Sequence, residues 1–228
     1  MLRLDCRMPP RLKICGLRQP DQALAIATLG ADAIGVIGVP SSPRFLDPRG
    51  RAALFEGLGA AFPGCRRVLV VADPGEGDMA DLQPQHGHDV LQLHGSESPQ
   101  RCAELRASLG LEIWKALRIR SPEDLRRASE FEGMVDALLL DAWTADQLGG
   151  TGRRLPLEWL EDFSPPMPWW LAGGVTPEVV GEILKRLRPD GLDVSSGVEN
   201  APGEKNLERV RALALNLGLS GSAETPAA

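Results

Sequence analysis

The sequence lacks the features that mark membrane and secreted proteins. No apolar run approaches the roughly 20 residues that a membrane-spanning helix requires. The first residues, MLRLDCRMPPRLK, contain no apolar signal-peptide core. The four cysteines (Cys6, Cys15, Cys65 and Cys102) are scattered without a CxxC spacing, which is typical of reduced thiols in a cytosolic protein. We therefore expect a soluble, cytoplasmic protein without disulfides or a zinc site.

Positive charge and histidine are also scarce. The formal net charge is −6 at pH 7 and the pI is near 5.2, which argues against nucleic acid or an anionic membrane as a partner. Only three histidines are present, and two of them, His86 and His88, lie in a predicted loop region, so we expect no metal site. An acidic protein can still bind phosphate through backbone N–H groups and helix N-termini.

Eight short apolar runs alternate with segments of helical periodicity along the 228 residues. The runs are continuously apolar, as in parallel strands that are covered by helices. They are residues 11–15, 31–39, 66–72, 89–95, 111–117, 136–141, 168–174 and 191–197. Eight strand-and-helix units of about 28 residues each favour a single closed (β/α)8 TIM barrel over an open sheet.

The segments between these runs predict helices at 21–30, 48–62, 98–110, 121–131, 176–189 and 203–218, with weaker patterns at 76–87 and 156–162. The barrel domain is therefore predicted over residues 11–218. Residues 1–10 form an N-terminal extension, and the small, polar residues 219–228 are expected to be a disordered tail.

Small residues follow the last three strands, where this fold commonly binds phosphate. Glycines let the backbone approach a ligand closely, and SSGVE (195–199) can open a short helix whose positive end faces a phosphate. LGGTG (148–152) can complete the cradle. The predicted phosphate-binding residues are Gly150, Thr151, Gly152, Gly173, Gly174, Ser195, Ser196 and Gly197.

Other residues at the strand ends have ordinary explanations when each is taken alone. Cys15 is explained as a small buried hydrophobe, Asp141 as a helix N-cap and Arg44 as a solvated charge. Trp169 and Trp170 are predicted to pack, one into the barrel and one toward a helix.

Taken together, seven segments resemble phosphoribosylanthranilate isomerase in their order and spacing. They are LKICG (12–16), SPRFLDP (42–48), VLQLHG (90–95), LLLDA (138–142), LGGTG (148–152), LAGGVTPE (171–178) and DVSSGVENAPGEKN (193–206). KICG and DVSSGVE are the most specific of them, and the resemblance covers the barrel from residue 11 to about 217. It implies a (β/α)8 barrel of tryptophan biosynthesis that converts N-(5-phosphoribosyl)anthranilate to its 1-deoxyribulose 5-phosphate derivative by an Amadori rearrangement. We expect no cofactor, and a monomer or a homodimer.

The resemblance also implies roles for individual residues. Asp141 is the general acid that opens the furanose ring, Cys15 is the general base that takes the proton from sugar C2, and Arg44 holds the anthranilate carboxylate. Asp141 must be protonated near neutral pH, which burial favours. Cys15 must form a thiolate, so we expect its surroundings to lower its pKa. His94 is expected to line the pocket as a hydrogen-bonding wall without a catalytic role.

Lys13 lies two residues before Cys15, so both side chains point to the same face of the first strand. A lysine inside a barrel is costly unless it is paired. We therefore predict that Lys13 pairs with Asp193 and contributes positive potential near Cys15.

Three positions depart from the family pattern. Gly38 and Ala72 stand where the family often carries aromatic residues, which predicts a rearranged pocket wall. Asn206 stands where an aspartate is expected, which we interpret as a helix-start effect.

Two alternatives remain open at this point. The first is another phosphosugar barrel, such as an epimerase, a thiamine-phosphate synthase or an indole-glycerol-phosphate synthase, which would share the phosphate loops but not the pair of Cys15 and Asp141. The second is a non-catalytic barrel that binds a phosphorylated ligand. Binding alone requires neither Cys15 nor Asp141.

Overall fold

The computed structural model describes residues 9–142 and 154–219. Eight parallel strands close into a barrel in chain order, so the predicted (β/α)8 fold is confirmed. Each strand overlaps one predicted apolar run. The strands are β1 (Arg11–Cys15), β2 (Ala33–Ile37), β3 (Arg66–Val71), β4 (Val90–Leu93), β5 (Glu112–Ile119), β6 (Ala137–Ala142), β7 (Trp169–Leu171) and β8 (Gly191–Val194). Residues 1–8 and 220–228, which make up most of the predicted extension and tail, lie outside the described residues.

In residues 9–142 and 154–219, five α-helices cover the barrel, and their starts follow local sequence rules. They are α1 (Pro20–Thr28), α2 (Pro48–Ala61), α3 (Pro99–Leu109), α4 (Val180–Arg186) and α5 (Leu207–Asn216). The first three begin with proline, whose fixed φ suits the first helical position. Asn206 caps α5 by accepting a hydrogen bond from the Arg209 backbone N–H at 3.0 Å, which supports the interpretation of this residue as a helix start.

The predicted helix at 121–131 is instead a 3-10 helix, Pro122–Phe131. Only Ala128 and Phe131 of this polar segment are buried, so little tertiary packing supports a full α-helical face. The weaker patterns form short 3-10 turns at Glu76–Asp78, Pro84–His86 and Leu157–Trp159. A hairpin of β9 (Glu199–Ala201) and β10 (Glu204–Lys205) follows β8 and shortens the helix predicted at 203–218.

Side chains alternate along each strand between the barrel interior and the helix layer. Trp170 points inward, where its ring lies 4.8 Å from that of Trp114. Trp169 points outward and packs edge-to-face on Phe163 at 5.3 Å. The predicted packing of the two tryptophans is therefore confirmed.

Aromatic rings fill the end of the barrel where the strands begin. Gly191 of β8 makes room for the Trp170 indole, since a Cβ at this position would lie 2.2 Å from a ring carbon. The guanidinium carbon of Arg11 lies 5.4 Å from the centre of the Trp170 ring. Within the two described ranges, no helix is long and apolar enough to cross a membrane. The polar inward-facing groups gather toward the opposite, C-terminal end.

Candidate active site

Four predicted site residues lie buried at the C-terminal end of the barrel. Cys15 ends β1, His94 follows β4 and Asp141 lies near the end of β6, and each is between 5% and 7% exposed. Arg44, in the loop after β2, is 7% exposed. The strands carry these four residues from separate parts of the chain to one mouth.

The predicted pairing of Lys13 with Asp193 is confirmed. The Lys13 Nζ lies 2.9 Å from Asp193 Oδ1, and the two residues are Cα partners across β1 and β8. Gly35 of β2 leaves the space that this arrangement needs. A Cβ at Gly35 would lie 2.7 Å from the Cys15 Sγ and 3.0 Å from the Lys13 Cε. The ion pair and the thiol are therefore close neighbours inside the barrel.

The expectation that the surroundings lower the pKa of Cys15 is wrong. Burial raises the pKa of the Cys15 thiol because it disfavours the thiolate. The ammonium group of Lys13 lowers the pKa, the Asp193 carboxylate raises it, and Lys205 lowers it slightly. Burial outweighs the two lysines, so the thiol form is favoured in the free protein. Burial lowers the pKa of Lys13, but its charged and hydrogen-bonded partners, Asp193 first among them, outweigh burial and raise it, so Lys13 keeps its charge.

Arg44 lies in a buried cluster with Glu199 and Lys205, which we call the Glu199 cluster. The Arg44 Nε donates to Glu199 Oε1 at 2.9 Å, and its Nη2 donates to Oε2 at 2.7 Å. The Lys205 Nζ donates to the same Oε1 at 2.6 Å. Burial raises the pKa of Glu199, but the hydrogen bond from Arg44 and the charge of Lys205 outweigh it and leave that pKa below its usual value.

The Glu199 cluster contains two cations and one anion, so it carries one net positive charge. Glu199 holds the edge of the Arg44 guanidinium formed by Nε and Nη2. Among the described residues none accepts a hydrogen bond from Nη1, so this group can donate to an incoming carboxylate. Sequence reasoning missed Glu199 and Lys205, although both lie in the segment 193–206. The signal was a pair of opposite charges beside the phosphate loop, but nothing in the sequence placed them next to Arg44.

His94 connects Asp141 to a third inward-facing residue, Gln92. The His94 Nε2 lies 3.5 Å from Asp141 Oδ2, which exceeds hydrogen-bonding distance. On the other side of the ring, the His94 Nδ1 lies 3.3 Å from the Gln92 Nε2. Gln92 was not among the predicted site residues. A polar residue in the otherwise apolar run VLQL was the available signal.

Two of the predicted phosphate-binding loops lie side by side after β7 and β8. Gly173 and Gly174 have φ values of 79° and 64°, which side chains other than glycine rarely adopt. The backbone N–H groups of Gly173, Gly174 and Ser195 donate no hydrogen bond to another described residue. A Cβ at Gly197 would lie 2.0 Å from the Val175 carbonyl oxygen, so this glycine brings the two loops together.

The remaining expectations for these loops are corrected or lie outside the described residues. Ser195 donates its hydroxyl to the Cys15 carbonyl at 3.0 Å. Ser196 begins a three-residue 3-10 helix, Ser196–Val198, that leads into β9, so the predicted short helix is a single 3-10 turn. Gly150, Thr151 and Gly152 lie outside the described residues.

The predicted effect of Gly38 on the pocket wall is wrong. A Cβ at Gly38 would meet the Arg51 guanidinium at 2.7 Å, together with Leu69 and Val71. Leu69 and Val71 belong to the outer core between strands and helices. Gly38 therefore makes room for Arg51 behind the barrel wall. Ala72 lies two residues after the inward-facing Val70, so its side chain faces the same side. Its small size leaves the barrel mouth more open than an aromatic residue would.

Two further cysteines are buried free thiols, Cys65 and Cys102. Burial raises the pKa of Cys65 to about 12 and that of Cys102 to about 11, which makes both thiols unreactive at neutral pH. In the part of the chain that the structure describes, no group of three or more His, Cys, Asp or Glu side chains can hold a metal ion.

Comparison with known proteins identifies similar chains over most of the length. A family profile described as N-(5'phosphoribosyl)anthranilate (PRA) isomerase matches residues 12–216. The N-(5'-phosphoribosyl)anthranilate isomerase of Synechococcus elongatus is 48% identical over 204 residues, which are 89% of this chain and 94% of that protein.

Solved structures agree with the sequence comparison. The phosphoribosyl anthranilate isomerase of Thermus thermophilus is 34% identical with a TM-score of 0.79, covering 91% of this chain and 98% of that one. A phosphoribosyl anthranilate isomerase in complex with reduced 1-(o-carboxyphenylamino)-1-deoxyribulose 5-phosphate is 28% identical with a TM-score of 0.76. That match covers 92% of this chain and 98% of the other.

Cys15 lies near both charges of the ion pair, so removing Lys13 and removing Asp193 should shift the pKa of its thiol in opposite directions. Lys13→Met removes the neighbouring positive charge and should raise the pKa of the Cys15 thiol further. Asp193→Asn removes the negative charge and should lower it. The measurement is the pH dependence of Cys15 alkylation by iodoacetamide, followed on the Cys15 peptide by mass spectrometry.

The buried Cys65 serves as the internal control in the same digest. Removing one partner of a buried pair costs about 3–5 kcal/mol, so the double variant Lys13→Met/Asp193→Asn is included as a protein without an unpaired buried charge. Equal thiol pKa values in the two single variants, or shifts in the same direction, would contradict the electrostatic role of Lys13.

The lowered pKa of Glu199 predicts a loss of stability in acid. A carboxyl whose pKa is lower in the folded state stabilises the fold above its unfolded pKa, and this contribution disappears as the pH falls through the folded pKa. Glu199→Gln should therefore destabilise the protein by about 1–3 kcal/mol between about pH 6 and 8. The difference from the wild type should shrink below about pH 4.5. Urea unfolding as a function of pH measures both effects.

Glu178→Gln is the matched control, because Glu178 pairs with Arg209 at 3.0 Å on the surface, where its side chain is 60% exposed. A solvent-exposed ion pair contributes little to stability, so this control should change the free energy of unfolding little. If Glu199→Gln were as mild as the control, the Glu199 cluster would not stabilise the site.

Proposed function

The chain belongs to the N-(5'-phosphoribosyl)anthranilate isomerase family, and we propose that it catalyses this isomerisation with Asp141 as general acid and Cys15 as general base. The protein is an isomerase of tryptophan biosynthesis that converts N-(5-phospho-β-D-ribosyl)anthranilate to 1-(2-carboxyphenylamino)-1-deoxy-D-ribulose 5-phosphate. The observation that carries the assignment of the site is the placement of one buried thiol and one buried carboxyl at the same barrel mouth, on strands β1 and β6.

Asp141 starts the reaction by protonating the furanose ring oxygen. The bond between C1 and the ring oxygen then breaks, and the electron pair of the anthranilate nitrogen forms a C1=N double bond. The product of this step is an open-chain, protonated imine, while Asp141 becomes a carboxylate. Asp141 is 5% exposed at the barrel mouth, so a bound substrate would exclude bulk water from this proton transfer.

Cys15 continues the reaction by taking the proton from sugar C2. The electrons of the C2–H bond form a C1=C2 double bond, and those of the C=N bond return to nitrogen, which gives an enolamine. Transfer of the 2-hydroxyl proton and protonation at C1 then give the ketone. The base must be a thiolate, and burial of Cys15 opposes this form. The thiol proton leaves to water at the barrel mouth, and the positive charge of the protonated imine favours the thiolate that remains beside Lys13.

This order of events gives the raised pKa of Cys15 a function. In the free protein the thiol stays protonated, so it is protected from oxidants and electrophiles. The thiolate becomes favourable only when a cationic intermediate is present in the mouth. The base is therefore activated by the product of the acid step.

Arg44 and the glycine loops hold the two ends of the substrate. The net positive charge of the Glu199 cluster and the available Nη1 group of Arg44 suit the anthranilate carboxylate. The N–H groups of Gly173, Gly174 and Ser195 suit the phosphate, together with Ser196 and Gly197. Gly150, Thr151 and Gly152, which lie outside the described residues, are assigned the same role from the sequence. Backbone groups bind phosphate without a basic surface, which is consistent with the net charge of −6.

All residues named in this mechanism come from one chain, so the same site serves a monomer or a homodimer. We place the enzyme in the cytoplasm, where the free thiols Cys15, Cys65 and Cys102 stay reduced.

The mechanism predicts the loss of activity when either catalytic group is removed. Cys15→Ala and Asp141→Asn should each lower kcat by about 100-fold or more, since general acid–base catalysis contributes about 10²–10⁴-fold. Arg44→Lys should raise KM more than it lowers kcat, because lysine cannot bind Glu199 through two nitrogens and offer a third to the substrate carboxylate. The assay follows the loss of fluorescence of enzymatically generated phosphoribosylanthranilate.

Cys102→Ala is the matched control for thiol loss, because Cys102 is a buried cysteine in α3, outside the barrel mouth. It should keep its activity. Absence of turnover by the wild type would overturn the function, and full activity of Cys15→Ala or Asp141→Asn would overturn the assigned role of that residue.

A further inference from the structure

Gln92 is a buried polar residue that the mechanism above does not use. It lies in β4 between Leu91 and Leu93, points into the barrel and is 1% exposed. Its side-chain oxygen, Oε1, accepts no hydrogen bond from any described residue. A buried polar atom without a partner costs stability, so an apolar side chain of similar size would suit this position better. The presence of an amide at this position requires a reason other than packing.

Within the part of the chain that the structure describes, the one polar contact of the Gln92 amide is with His94. The Gln92 Nε2 lies 3.3 Å from the His94 Nδ1. An amide nitrogen only donates hydrogen bonds, so the Nδ1 must present its lone pair to it. In a neutral imidazole one ring nitrogen accepts and the other carries the hydrogen. The contact therefore places the hydrogen of His94 on Nε2.

The Nε2 of His94 has no hydrogen-bond partner among the described residues and faces Asp141. It lies 3.5 Å from Asp141 Oδ2, and a movement of about 0.5 Å would bring the two atoms to hydrogen-bonding distance. Hydrogen bonds of this kind are often long in free enzymes and shorten when the substrate binds. Both side chains are buried, with 8% and 7% of their side-chain surface exposed.

We propose that Gln92 is a positioning residue that holds His94 in the Nε2–H tautomer, so that His94 donates a hydrogen bond to Oδ2 of Asp141 during ring opening. This inference rests on the proposed function of Asp141 as general acid. A donor at Oδ2 leaves Oδ1 to carry the proton that is transferred.

The hydrogen bond gains strength as the reaction proceeds. While Asp141 is protonated, its Oδ2 is a neutral acceptor. Once the proton has moved to the ring oxygen, the carboxylate is charged, and hydrogen bonds to charged acceptors are roughly twice as strong. The contact therefore stabilises the transition state more than the ground state, which is the condition for faster catalysis. The opposite tautomer would place a lone pair against the new negative charge.

Histidine NMR tests the tautomer without any need for turnover. With three histidines in the chain, the ¹⁵N imidazole signals are few, and the signal missing in His94→Gln identifies His94. We expect the Nε2–H form in the wild type, a mixture of tautomers in Gln92→Leu, and the Nδ1–H form in Gln92→Glu, because a carboxylate accepts the hydrogen of Nδ1. An Nδ1–H form in the wild type, or an unchanged tautomer in Gln92→Glu, overturns the proposal.

Two controls belong to the NMR experiment. His88 contacts the Leu82 carbonyl oxygen at 3.0 Å through its Nε2, so its signal should stay the same in every variant. Gln83→Leu removes another glutamine amide, one that donates to the Met79 carbonyl oxygen in the segment between β3 and β4. The His94 tautomer should not change in Gln83→Leu, and a change there would contradict a specific role of Gln92.

Kinetics test the effect on the acid step. Gln92→Leu should lower kcat by about 10-fold with little change in KM, and Gln92→Glu should lower it further. In His94→Gln, a side-chain amide, which has no tautomers, replaces the Nε2–H donor. If Gln92 acts through His94, adding Gln92→Leu to this variant should lower kcat by less than about 3-fold. Equal losses in the two backgrounds would overturn the route through His94.

Thermal unfolding separates positioning from a structural role. If Gln92 acts by positioning, Gln92→Leu should keep or raise Tm while kcat falls, because it removes a buried polar group without a partner at Oε1. A fall in both quantities would contradict the proposal. The outcomes also separate this inference from the proposed function. An Asp141→Asn variant with full activity would refute the acid, whereas the histidine signals report on Gln92 in either case.

Discussion

The buried ion pair of Lys13 and Asp193 is the constraint on which the site depends. Two charges inside a barrel are tolerated only as a closely matched pair, and here they join β1 to β8 at the point where the barrel closes. Lys13 and Cys15 lie two residues apart on the same face of β1. The ion pair of Lys13 and Asp193 therefore also sets the electrostatic surroundings of the Cys15 thiol. Gly35 completes the arrangement by leaving room for both side chains on the neighbouring strand.

The two ends of the barrel interior contain different kinds of side chain. Trp114 and Trp170 fill the end where the strands begin, while Asp141, Cys15 and Arg44, to which we assign the acid, the base and the carboxylate-binding group, lie at the opposite end. Each of these three residues has a buried partner: Cys15 lies beside Lys13, Arg44 binds Glu199, and Asp141 faces His94. A small barrel has little chain to spare for inserted domains, so these partners come from the strands themselves and from short loops.

Local patterns predicted the strands, the helix starts and one long-range contact. The apolar runs located all eight strands, and alternation along β1 was sufficient to expect a partner for Lys13. The contacts that were missed join distant segments. Glu199 meets Arg44 across 155 positions of sequence, and only the folded hairpin after β8 brings them together. The direction of the Cys15 pKa shift depends on a balance between burial and two opposing charges, which residue types alone do not reveal. The role predicted for Gly38 was wrong for a similar reason. Strand register decides whether position 38 faces the barrel interior or the helix layer.

The central claim is that Asp141 and Cys15 act in successive steps, ring opening followed by proton removal from C2. The most direct test compares the kinetic isotope effect of a substrate deuterated at sugar C2 in Cys15→Ser and Asp141→Asn. A weaker base makes removal of the C2 proton slower, so Cys15→Ser should show a large isotope effect. A missing acid makes ring opening limiting, so Asp141→Asn should show almost none. An isotope effect in Asp141→Asn as large as in Cys15→Ser would contradict the assignment of the two roles.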